Sequence, residues 1–113
     1  DGYGVGDVGN IVLRDRKHLS QDGIIIIAAS VEIDTGYIVS GPDIITRGFV
    51  YVKEAEELIE EAKQIAFDTL EERLGRAPLD LTAAKNKTRD AVSSFVFERT
   101  RRSPMIVPII MEV

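Results

Sequence analysis

Cysteine and tryptophan are absent from these 113 residues, and histidine occurs once. Without thiols there is no disulfide framework, no thiolate zinc site and no cysteine nucleophile. His18 alone cannot build a histidine-based metal site, a catalytic triad or an HExxH arrangement, and its charged surroundings suit a solvent-facing side chain. Long apolar runs are missing too. The longest, Ile24 to Ala29, is far below the roughly 20 residues of a membrane span, and no basic-then-apolar leader is visible. Nor is there an excess of positive charge: the net value of −5 argues against nucleic-acid binding over the whole surface. The chain opens on Asp1 rather than Met, and we expect a piece of something longer.

What is present is the balance of one folded domain, 44% hydrophobic and 29% charged. Gly4-Val5-Gly6-Asp7-Val8-Gly9 matches G-x-G-x-x-G, the fingerprint of a dinucleotide-binding turn, but the context is wrong. Only three residues precede it, and Asn10-Ile11-Val12-Leu13 reads as extended rather than as a helix N-terminus facing a pyrophosphate. About 20 residues on, where a ribose-binding acid belongs, the chain is β-branched. Residues 1–22 are expected to form a glycine-rich boundary and linker.

From Gly23 the pattern sharpens. Ile24 to Ile33 reads as a β-branched strand, Asp34-Thr35-Gly36 as a turn, and Tyr37 to Thr46 as a second strand, most simply an antiparallel hairpin. Gly41-Pro42 implies a bulge or an edge, because proline donates no ladder hydrogen bond. Residues 53–75 have helical period, with Leu58, Ile59, Ala62, Ile65, Ala66 and Leu70 on one face. Asp80 or Thr82 can cap a second helix running to about residue 101, with a stripe of Ala84, Thr88, Ala91, Val92 and Phe95. Pro104 ends it, and Met105 to Val113 is a third strand. The expected fold is α+β in the order β-β-α-α-β, a sheet of about three strands with two helices packed on one face.

Both faces of that sheet want burial. In the first strand Ile24, Ile26 and Ala28 continue apolar opposite Ile25, Ile27, Ala29, Val31 and Ile33. In the last, Ile106 and Ile110 lie opposite Met105, Val107, Ile109 and Met111. Two helices cover only one side, so Ile24, Ile26, Ala28, Ile106 and Ile110 are candidate interface residues. The alternative cover is the stretch Ile11 to Leu13 folded back onto them.

The charged residues offer less chemistry. Asp34 belongs to the turn, and Asp43, with Arg47 four positions on, suits a local ion pair or a turn hydrogen bond better than catalysis. Glu54, Glu56, Glu57, Glu60, Glu61, Asp68, Glu71 and Glu72 make residues 54–72 acidic. Residues 85–102 are basic, and Lys85, Arg99, Arg101 and Arg102 are the candidate RNA contacts. Two solvated helix faces, with cations suiting the end of the second helix, account for the same pattern. No aromatic platform accompanies the basic run, although Phe97 is a candidate for exposure.

Three blocks, VGDVGNIVLRDRKHLSQDG, SGPDIITRGFVYVKEAEELIEEAK and FVFERTRRSPMIVPIIMEV, resemble the carboxyl-terminal end of bacterial ribonuclease J and keep its order. Residues 76–88 are the least diagnostic. The resemblance implies a parent enzyme of the metallo-β-lactamase/β-CASP class, a cytoplasmic, metal-dependent hydrolase that processes and degrades RNA by endonucleolytic and 5′-to-3′ exonucleolytic cutting. It implies that residues 1–22 are the end of the β-lactamase domain and its linker, and 23–113 the separate C-terminal domain. The family's zinc-binding His-x-His-x-Asp-His motif does not occur here, so no catalytic, cofactor-binding or metal-binding residue carries over. The resemblance thus implies a non-catalytic, cofactor-free domain that supports the nuclease core through self-association or contact with the catalytic domains. An auxiliary RNA-binding module is the second reading.

Overall fold

The computed structural model describes residues 22–49 and 55–113. The glycine-rich stretch, Ile11 to Leu13 and His18 lie outside the described residues. Within them the order is β1 (Ile24–Glu32), β2 (Tyr37–Arg47), α1 (Ala55–Leu74), α2 (Leu81–Thr100) and β3 (Met105–Glu112). This is the expected β-β-α-α-β arrangement. The sheet runs β2-β1-β3, with β1 antiparallel to β2 and parallel to β3.

Local chemistry explains the boundaries. The hairpin closes where Gly36 adopts φ +73° and its N–H donates to the Glu32 carbonyl at 2.8 Å. Thr35 Oγ1 donates to Glu32 Oε1 and accepts from the Tyr37 N–H, which pins the turn from both sides. Asp80 caps α2 with its carboxylate accepting from the Ala83 N–H at 3.0 Å. At the other end Arg101 takes the left-handed conformation and donates its N–H to the Phe97 carbonyl. Gly41-Pro42 is both of the things expected of it: β2 is an edge strand, and the register with β1 shifts on either side of Ser30.

The helices lie side by side on one face, α1 over β2 and α2 over β3. Buried positions recur every four residues: Leu58, Ala62, Ala66, Leu70 and Leu74 on α1, and Ala84, Thr88, Val92 and Val96 on α2. The small side chains at Ala62, Ala66 and Ala84 let the helices come close. Val96, rather than the expected Phe95, closes the α2 stripe; Phe95 is half-buried beside the core. Under the helices, Ile25, Ile27, Ala29 and Val31 of β1 supply the central row.

Two distant backbone ties complete the sheet. The Met105 N–H donates to the Gly23 carbonyl, and the Val113 N–H to that of Val31, each at 2.9 Å. The Ser103 N–H meets Asp22 Oδ2 at 2.8 Å, holding the start of β1 to the connection that enters β3.

Candidate interaction face

Alternation along β1 is complete from Ile24 to Val31, with odd-numbered residues buried and even-numbered ones half-exposed. Directly paired residues share a face, so the register assigns the neighbouring strands. Ile26 pairs with Ile45 on one side and Val107 on the other. Ile24 pairs with Arg47 and Met105, and Ala28 with Asp43 and Ile109. The face away from the helices is therefore three rows deep: Arg47-Ile24-Met105, Ile45-Ile26-Val107 and Asp43-Ala28-Ile109. Met111, beside Ser30, extends it. Ile45, Ile109 and Met111 are 41%, 43% and 55% exposed, high for such side chains in a sheet.

Ile24, Ile26 and Ala28 lie on this open face. Ile106 and Ile110 do not, which corrects their grouping with the other three. Ile106 pairs with Ile25, is 8% exposed and belongs to the core under the helices; Ile110 packs against the second core cluster. The cause is register: a slip of one residue moves every side chain of a strand to the opposite face. The alternate row of β3, Met105, Val107, Ile109 and Met111, takes the open side. Its match to Ile24 and Ile26 depends on a pairing distant in sequence.

Asp43 and Arg47 form no ion pair, contrary to the local pair considered for them. Four residues span about 13 Å in a strand. Both are exposed on the same face of the edge strand, and Arg47 Nη1 donates to the Thr46 carbonyl at 2.8 Å. Among the described residues no ion pair is made by either.

The four candidate RNA contacts do not converge. Lys85 lies in the second turn of α2, and Arg99 fourteen residues further on, about 21 Å along the axis. Arg99 forms an ion pair with Glu61 of α1 and stacks over Phe95 at 5.1 Å from the ring centroid. Arg101 covers Phe97, which is exposed, at 5.3 Å. Arg102 is exposed beyond the helix, its N–H held by Thr100 Oγ1. A shallow cleft of about 220 Å³ between β2 and α1 mixes Gly41, Pro42, Glu60, Lys63, Gln64 and Phe67 without a convergent set of polar groups. Among the described residues no three acids or imidazoles are grouped to hold a metal ion, and no helix is long and apolar enough to cross a membrane.

The family model for the ribonuclease J C-terminal domain matches residues 11–113. The chain belongs to that family. Ribonuclease J2 of Bacillus subtilis (strain 168) is 50% identical over 113 residues, which is 100% of this chain and 20% of that protein. Ribonuclease J 2 of Staphylococcus epidermidis (strain RP62A) is 47% identical, and that of Staphylococcus aureus (strain NCTC 8325) 44%, over the same shares. The chain thus spans 20% of the length of these relatives. The ribonuclease J C-terminal domain seen here is a mixed three-stranded sheet with one face under two helices and an apolar face that none of the described residues covers.

Proposed function

We propose that this chain is the non-catalytic assembly domain of a cytoplasmic ribonuclease J, and that it works by self-association through the open sheet face. The observation that carries the reading is the apolar surface spanning all three strands opposite the helices. Burying such a surface gains on the order of 25 cal/mol per Å², and the largest apolar patch on a protein's surface is often an interaction site. The occupant is a second copy, because the three rows carry one acid, Asp43, and one base, Arg47, with Glu32 beyond them at the end of β1, and so repel no identical surface.

In the longer protein the domain would hold catalytic domains in their working arrangement. Hydrolysis of RNA, and the zinc that such chemistry uses, belong in this reading to segments outside this chain. The described residues offer zinc no ligand set, and no catalytic step is assigned to them.

Sedimentation velocity across a concentration series tests the proposal. A reversible monomer–dimer equilibrium is expected, shifted toward monomer by Ile26→Lys, whose ammonium would be buried unpaired at a cost of a few kcal/mol. The substitution leaves the helix-covered core untouched, so the variant monomer should keep its circular dichroism. A strict monomer at high concentration sinks the reading.

A further inference from the structure

Among the described residues each free edge of the sheet carries a proline at an outward position, which disfavours strand addition there and favours association through the open face. Because Met105 and Val113 donate their N–H groups toward β1, alternation turns the N positions of Ile106, Pro108, Ile110 and Glu112 to the outside. Pro108 therefore removes a donor from the middle of that edge. On β1 the odd residues face β3, so the even ones face β2 and bond with Asp43, Ile45 and Arg47. Thr46, Ile44 and Pro42 turn outward, and Pro42 again removes a donor, beside a bulge. Prolines at outward positions are how edge strands avoid pairing with another sheet.

The face itself has a self-complementary charge pattern. Its three rows carry a cation in the first, none in the second and an anion in the third, with the two charges on the same strand. A two-fold axis lying over the central row, Ile45-Ile26-Val107, would reverse strand direction while keeping β2 over β2. It would stack the Asp43-Ala28-Ile109 row on the partner's Arg47-Ile24-Met105 row. Each arginine then meets the other copy's aspartate, twice by symmetry, and the small Ala28 lies opposite the larger Ile24.

We infer that two copies of this domain pack sheet on sheet about that axis, with Asp43 of each against Arg47 of the other. The inference rests on the proposed self-association and specifies its geometry. Three strands about 4.8 Å apart and about eight residues long give a face of about 14 by 26 Å. Two such faces bury on the order of 700 Å², below the roughly 1,000 Å² that a stable interface needs, so the isolated domain associates weakly and reversibly.

Charge reversal tests it, with the equilibrium read by sedimentation and folding by circular dichroism. Asp43→Arg or Arg47→Asp alone sets like charges together at two places and should weaken dimerisation about tenfold. The double variant Asp43→Arg/Arg47→Asp exchanges the charges and should recover the original affinity to within about twofold. A second measurement does not depend on those variants. The chain has no cysteine, so Ile45→Cys, on the axis, should be crosslinked to its own counterpart by a short bismaleimide, whereas Met111→Cys, far from the axis, should not. Dimers indifferent to both single reversals, a double variant as weak as the singles, or equal crosslinking at the two cysteine positions would each overturn this geometry while leaving self-association standing. A chain that never dimerises overturns both.

Discussion

Thr88 shows how a residue can be legible in place and not in consequence. Its position in the apolar stripe of α2 follows from helical period, and it is 1% exposed, one turn from Ala84 and one from Val92. What periodicity does not reveal is that its hydroxyl has no hydrogen-bond partner there. A buried hydroxyl without a partner retains its desolvation cost, whereas a methyl of the same shape has none. Thr88→Val should therefore stabilise the domain by about 1 kcal/mol, seen as a higher urea midpoint with an unchanged slope. A lower midpoint would mean that the hydroxyl is satisfied in solution. The Asp43–Arg47 spacing teaches the converse. Four residues bring side chains together on a helix but hold them about 13 Å apart on a strand, so the same spacing in sequence means a pair in one element and two separate charges in the other.

At the scale of elements, boundaries were readable because they depend on local chemistry. Gly36 marks the turn, Asp80 the start of α2 and Pro104 the break before β3, and each element begins and ends within about two residues of expectation. The Asp80 cap can be isolated from the interaction face, since it lies on the helix side. Asp80→Ala removes the acceptor for the Ala83 N–H and should cost about 1 kcal/mol in chemical denaturation, with Asp80→Asn recovering most of it. An alanine variant as stable as the original would show that water caps this helix equally well. The parity of β3 was not readable in the same way. Its two rows are both apolar, so hydrophobic pattern alone does not choose which one faces the helices. The choice is made by pairing between β1 and β3, about 80 residues apart in sequence, and by the two distant N–H bonds to Gly23 and Val31. That is why Ile24, Ile26 and Ala28 could be placed on the open face while Ile106 and Ile110 were grouped with the wrong side.

For the whole molecule, charge separation along the sequence does not become charge separation in space. The acidic residues belong to α1 and the basic ones to α2, and these two helices pack against each other. Arg99 is matched by Glu61 across that contact, and Arg89 by Asp90 on its own helix. Lys85 lies about 21 Å from the Arg99–Arg102 end, beyond the Debye length of about 8 Å at physiological salt, so the two do not act on one phosphate group. Phosphate binding draws its strength from several cations releasing counterions together, and its salt dependence counts them. A net charge of −5 adds a general repulsion. Titration of the domain with single-stranded RNA should therefore give no saturable binding near 150 mM salt. Near 50 mM it should give only weak binding, with a logarithmic salt slope of about −1 to −2. The order of helices in the sequence suggested a basic segment; their packing side by side disperses it. A slope steeper than about −4, lost in an Arg101→Ala/Arg102→Ala variant, would show that the exposed end of α2 gathers RNA after all, and the domain would then have to be credited with a share in substrate capture.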